Sequence, residues 1–212
     1  MTSDKRFFVV GGIYRIRTAQ DMIKSINMTE GVLLGPPTAA LTIAEYVDYQ
    51  CPTCAISHRL LRDYVLPRYR DRVRIAYKDA PLPFHEWAVT AAVGLRCVYE
   101  IDPGAVGIVQ SAIFADQWRI DRKSILSLLV LYGGRAGVSG DQVRDCMTRE
   151  ATMQQVAGSL REAQDLELAS MPTFFIGSEV LGGRRTVLDF CHAIDHALDV
   201  QSSKVAHGDH QQ

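Results

Sequence analysis

The chain has 212 residues, 47% of them hydrophobic and 22% charged, and a net charge of −1. That balance supports one globular unit, or one domain carrying an insertion, and excludes the basic footprint of a nucleic-acid binder. Five cysteines, at 51, 54, 97, 146 and 191, are too few for a disulfide scaffold at this length but enough for one redox pair, with a second possible.

The N-terminal stretch "MTSDKRFFVVGGIYRIR" places two basic residues before an apolar run, as a short signal peptide does. Arg15 and Arg17 follow at once and no small-x-small cleavage site is visible, so the stretch is predicted as a terminal strand, with edge placement possible. Residues 1–38 form an N-terminal extension punctuated by Pro36-Pro37. The apolar run "LTIAEYV" predicts a strand over 40–48, and Ile56, Leu60, Leu61, Tyr64 and Val65 recur at helical spacing over 52–69. "VRIAYKD" alternates like a second strand. This βαβ unit, residues 39–84, implies a parallel strand pair.

From 85 to 168 the pattern turns helical. Trp87, Ala91, Leu95 and Val98 share one face of the first helix. Asp121 is placed to cap a second through "SILSLLVLY", which Gly133-Gly134 should stop, and "SGDQ" reads as a capping box for a third. "ATMQQVAGSLREAQDLEL" gives a fourth. Residues 169–200 revert to strands: "PTFFIG" and "EVLGG" flank Gly177-Ser178 as a hairpin, before a helix over 186–199. Residues 201–212 are a polar tail, predicted to fray. The order is βαβ, helical insertion, ββα, an α/β architecture. The longest clear apolar run, "ILSLLVLY", is too short to span a bilayer, so no stable membrane insertion is expected.

Chemistry concentrates in "EYVDYQCPTC", residues 45–54. Cys51 and Cys54 stand where strand gives way to helix. A thiol at a helix start meets unpaired backbone N–H groups and the positive end of the helix dipole, both of which favour thiolate. Cys51 is expected to be exposed and nucleophilic. Cys54, one turn in, can attack a mixed disulfide and release the substrate. Pro52 suits the first helical turn because its missing N–H would be unpaired there anyway. A zinc half-site would need about four ligands, and no second C-x-x-C exists, so no metal is expected. Two inert structural thiols are the remaining alternative.

The motif "ALTIAEYVDYQCPTCAISH…YKDAPLPFHEWA", with "SMPTFFIG" about 120 residues after the cysteines, resembles the DsbA-like branch of the thioredoxin superfamily over residues 30–200. The resemblance implies a thioredoxin fold with an inserted helical domain. It also implies an enzyme that exchanges disulfides with cysteine-containing proteins and uses no cofactor beyond a redox-active Cys51–Cys54 disulfide. By position Cys51 is the attacking thiol, Cys54 the resolving thiol and Pro172 the cis-proline facing them, an ordinary trans-proline at a strand start being the alternative. Met171, Pro172 and Thr173, with Pro52 and Thr53, would bind an extended substrate beside the thiols. Glu45, six residues before Cys51 on a buried strand, takes the position of the family's proton-relay acid. Ser170-Met171 and Pro52-Thr53 depart from the wording of many relatives, which leaves potential and substrate preference open.

Asp48 is expected to be a loop carboxylate, His58 a packed and hydrogen-bonded helix residue, His85 a cap or surface residue and Cys191 a buried helix residue. Cys97 and Cys146 are either a structural disulfide or two small core residues. An extracytoplasmic compartment such as the periplasm is the expected location, the cytoplasm the alternative. An unidentified redox partner would reset the thiols. The other functions weighed are a glutathione-using isomerase or transferase and a non-catalytic binding protein with a structural disulfide.

Overall fold

A computed structural model describes the backbone of residues 6–10, 13–17 and 19–208, and the side chains of residues 21–203. Strand β1 (Arg6–Val10) pairs antiparallel with β2 (Ile13–Arg17) in a separate two-stranded sheet. The terminal-strand reading therefore holds for 6–10, but this strand does not edge the main sheet. Helix α1 (Ala19–Lys24) follows, and the short strand β3 (Val32–Leu34) supplies the edge instead.

The main sheet has the order β3-β5-β4-β6-β7, with β4 (Leu41–Val47), β5 (Val73–Asp79), β6 (Thr173–Ile176) and β7 (Glu179–Gly182). Only β4 and β5 run parallel, joined by helix α2 (Pro52–Leu60), a π-helical turn Leu61–Val65 and the short helix α3 (Leu66–Tyr69). Both central strands are buried on both faces, which is why "LTIAEYV" reads as an apolar run, while β5 buries Lys78 and Asp79 against charged partners. Glu45 is the Cα partner of Tyr77 on one side and Phe174 on the other, so these three share a sheet face. The long helix α9 (Val187–Gly208) covers that face, Phe190 meeting Phe174 edge-on at 4.8 Å. On the opposite face Lys78, 1% exposed, reaches Glu162 of helix α8 (Glu150–Asp165) at 2.8 Å.

Between the sheet's halves run α4 (Ala88–Ile101), α5 (Val106–Asp116), α6 (Ile125–Arg135), α7 (Gly140–Met147) and α8. A Cβ on Gly94 would lie 2.4 Å from Leu129, so glycine there lets α4 and α6 pack closely. Ser139 caps α7 by accepting from the Gln142 N–H, as the capping-box reading expects of its first half. Asp121 accepts from the Lys123 and Ser124 amides and so shapes the turn leading into α6.

Two sequence expectations are corrected. Helix α6 runs through Gly133 and Gly134 and ends at Arg135, because Gly133 is buried against Val138 and Val143 and that packing outweighs glycine's low propensity. Helix α9 continues to Gly208 instead of yielding to a frayed tail at 201; Ser202 and Ser203 return hydroxyl bonds to the carbonyls of Leu198 and Asp199. Residues 209–212 lie outside the described ones. Gly177, at φ +57°, makes the β6–β7 turn as expected. The β4–α2–β5 and β6–β7–α9 halves, interrupted by helices, form the thioredoxin fold that the sequence resemblance implies.

Candidate active site

Cys51 is the N-cap residue of α2, extended at φ −75° and ψ 122°, with Pro52 at the first helical position. The loop before it is held tightly. Cys51 N–H donates to the Asp48 carbonyl at 3.1 Å, and Gln117 Nε2 donates to the carbonyls of Tyr49 and Cys51 at 2.8 and 3.0 Å.

Both thiols are free, and they differ sharply. Cys51 Sγ stands 3.6 Å from the Met171 carbonyl oxygen and is 8% exposed. That corrects the expectation of an exposed nucleophile: the Met171–Pro172 corner roofs it, so a substrate must approach along this corner. Cys54 is 0% exposed, with Sγ 3.5 Å from the Asp48 N–H. The Cys51 pKa is lowered to about 6. Donation by the Cys54 thiol is the largest cause, opposed by burial and helped by the backbone N–H groups of Cys54 and Thr53. The helix terminus expected to favour thiolate does contribute, but the neighbouring thiol does more. Burial, followed by that same donation, pushes Cys54 well above its usual value. One thiol is thus an anion at neutral pH and the other keeps its proton.

Glu45 is 0% exposed, and neither carboxyl oxygen has a hydrogen-bond partner. Desolvation raises its pKa to about 8, so it is a neutral acid near Cys54 at pH 7. The Met171–Pro172 bond is cis, and both residues are buried. Thr173 starts β6, its hydroxyl donating to the Ser170 carbonyl at 2.6 Å, and Gly183 N–H donates to the Pro172 carbonyl at 2.8 Å. Pro52 is exposed and Thr53 half-buried at the helix start. The expected site residues therefore gather around one thiol pair.

His58 turns aside from this work. Its Nε2 lies 3.0 Å from Ser111 Oγ, its ring packs at 4.9 Å on Phe114, and burial lowers its pKa to about 4. It is the packed, hydrogen-bonded residue expected from the sequence, and Cys191 is likewise buried in its helix. Asp48 is the loop carboxylate expected, whereas His85 needs correction. Asp48 belongs to the loop but is 0% exposed, and its carboxylate accepts from Gln50 N–H at 2.7 Å, Leu82 N–H at 2.7 Å and His85 Nδ1 at 2.8 Å. His85 is neither a cap nor a free surface residue but Asp48's partner. Gln50 and Gln117 were also missed. Only proximity in the fold could reveal them, because the partners of their side chains lie 37 to 68 residues away: Gln50 Oε1 accepts from Trp87 N–H, and Gln117 Nε2 reaches Tyr49 and Cys51.

A thioredoxin family profile matches residues 27–196, and the chain belongs to that family. Solved structures of DsbA-like proteins share its fold, at 18% identity. The chain is 25% identical over 191 residues to a Rickettsia felis protein provisionally named a protein-disulfide oxidoreductase, covering 86% of this chain and 67% of that one. A Rickettsia prowazekii counterpart is 24% identical over 177 residues, covering 82% of this chain and 63% of its own length. The solved structure of the thiol-disulfide exchange protein alpha-DsbA2 from Wolbachia pipientis superposes with a TM-score of 0.69 at 18% identity, covering 84% of this chain and 90% of that one. The chain thus spans about two thirds of these rickettsial relatives.

Proposed function

We propose that this chain is a protein thiol–disulfide oxidoreductase in which Cys51 exchanges with substrate and Cys54 resolves. One observation carries the reading: a low-pKa thiol and a protonated thiol share a helix start beneath a cis-proline corner. In the oxidising direction a substrate thiolate attacks Cys51 Sγ. The Cys51–Cys54 bond breaks and Cys54 leaves with the electron pair, taking up a proton. A second substrate thiolate then attacks the substrate sulfur of the mixed disulfide, and Cys51 departs as a thiolate. The substrate has lost two electrons and the cysteine pair has gained them.

The low pKa of Cys51 makes it a good leaving group and favours this direction. Each pKa unit corresponds to about 1.4 kcal/mol, or about 30 mV for a two-electron couple. The expected potential therefore lies between about −270 and about −120 mV, on the oxidising side of the midpoint. In the reverse direction the same groups reduce or isomerise disulfides, Cys54 needing to lose its proton first. Glu45, a neutral acid at pH 7, gives Cys54 its proton in the oxidising direction, and in the reverse direction its ionised form takes that proton. Met171, Pro172, Thr173, Pro52 and Thr53 form the corner along which an extended, cysteine-containing protein segment binds. An electron acceptor, its identity open, resets the pair. A disulfide elsewhere in the chain, Cys97–Cys146, favours an extracytoplasmic location.

The test is turnover of a disulfide-containing peptide. Cys51→Ser should abolish it, and Cys54→Ser should accumulate mixed disulfides through Cys51. Wild-type turnover by Cys51→Ser would overturn the assignment. Saturable glutathione dependence with no activity on protein disulfides would favour the glutathione-using alternative.

A further inference from the structure

The carboxylate of Asp48 occupies an unusual position. It is fully buried midway between Glu45 and Cys51, and both its oxygens are used. Oδ1 accepts from the Gln50 N–H, within the loop that ends at Cys51. Oδ2 accepts from the Leu82 N–H and from His85 Nδ1, both in the segment that opens the helical insertion. That segment is a turn closed by His85 N–H on the Leu82 carbonyl at 3.0 Å, with the Phe84 ring 4.8 Å from the imidazole. The backbone of Asp48 is engaged as well. Its carbonyl accepts from Cys51 N–H, and its own N–H points at Cys54 Sγ from 3.5 Å.

We propose that Asp48 and His85 are positioning residues for the resolving step: the insertion holds the Asp48 carboxylate, and the carboxylate holds the Asp48 peptide so that its N–H meets the sulfur of Cys54 as negative charge develops there. The inference rests on the exchange reading above. In resolution the Cys54 thiol loses its proton and attacks Cys51 Sγ, the Cys51–substrate bond breaks, and the substrate leaves as a thiolate that takes up a proton. An N–H aimed at Cys54 Sγ stabilises the thiolate this step needs and contributes little when Cys54 is a neutral thiol. Attack by Cys51 on substrate has no such demand. The pair should therefore govern resolution and leave formation of the mixed disulfide unchanged.

A carboxylate can serve donors on both oxygens, whereas an amide has one acceptor oxygen and presents its NH2 to the other donors. Asp48→Asn must therefore break one arm of the fork. His85→Leu removes only the imidazole bond, and His85→Asn keeps an N–H donor near the Nδ1 position. The experiment is stopped-flow mixing of reduced protein with a disulfide peptide at about pH 8, where Cys51 is already thiolate, with acid quenching and mass analysis of the mixed disulfide. Asp48→Asn should slow resolution about tenfold, the scale of a lost charge-assisted hydrogen bond, with formation changed by less than about twofold. His85→Leu should slow resolution about threefold, and His85→Asn should restore it. Unchanged resolution in Asp48→Asn and His85→Leu would overturn the proposal. So would a parallel fall in formation and resolution, which marks a merely structural role. If Asp48→Asn does not fold, the two His85 variants decide the matter. If the wild-type protein forms no mixed disulfide at Cys51, the exchange reading itself fails, a different result from any of these.

Discussion

The molecule holds two cysteine pairs, and their surroundings make them opposites. Cys97 on α4 and Cys146 on α7 are joined by a disulfide, both fully buried, their Cα atoms 5.7 Å apart. Cys51 and Cys54 are free thiols at a helix start, where one donates to the other and backbone N–H groups converge. The first pair crosses between two helices of the insertion, its cysteines 49 residues apart, and its sulfurs are bonded to each other although Glu100 Oε2 lies 3.8 Å from Cys146 Sγ. The second pair lies within one turn, beside a neutral Glu45 and an anchored Asp48. Spacing and polarity, rather than the element sulfur, separate a staple from a reactive centre.

The largest effect expected from this contrast is on stability. Replacing both Cys97 and Cys146 by Ala should destabilise the fold by about 4 kcal/mol, the chain-entropy value for a loop of this length. Denaturant unfolding measures it, and the alkylation rate of Cys51 should not move. A change in that rate beyond about threefold would show that the staple and the reactive centre are coupled after all.

A smaller effect belongs to Glu45. Its folded pKa of about 8 lies above the ordinary 4.5, so the folded state keeps a proton that the unfolded state releases. Stability must then fall as pH rises from about 4.5 to about 8. Glu45→Gln removes this penalty and should stabilise the protein by about 3 kcal/mol at pH 7, with the gain vanishing below pH 4.5. The same variant should slow resolution of the mixed disulfide more than its formation. An unchanged slope of stability against pH would mean that Glu45 is ionised in the fold.

The smallest effect sharpens the comparison at Cys51 itself. Its folded pKa of about 6 lies below the usual 9, so its thiolate stabilises the reduced fold above about pH 6, and this is lost as pH falls through that value. The oxidised protein has no such thiolate. Reduced protein should therefore gain about 1 kcal/mol on oxidised protein between pH 5 and pH 7, read from paired thermal or denaturant melts. A gain of the opposite sign would identify the Cys51–Cys54 pair as a second staple.

What the sequence determined by itself is local. An apolar run marked "LTIAEYV" and alternation marked "VRIAYKD" as strands, helical spacing marked the element after Cys51, and Gly177-Ser178 marked a hairpin, because each signal is written within a few residues. The thiol pair was legible for the same reason: Cys51 and Cys54 sit together at one strand–helix joint, and Pro52 fits only the start of that helix. Tertiary structure decided whatever depends on distant partners. Cys97 and Cys146 could be paired or apart until α4 and α7 were packed. Gly133 and Gly134 looked like a stop until Val138 and Val143 closed over the helix. Asp48 is the loop carboxylate its position suggested, but His85 looked like a cap or surface residue because 37 residues separate it from Asp48, and burial makes their contact an anchor of the loop before Cys51. Cys51 itself is roofed by Met171, 120 residues away, a contact made only when β6 is laid beside β4. Propensity and periodicity act over one or two turns of chain, whereas desolvation and ion pairing act wherever folding brings groups together.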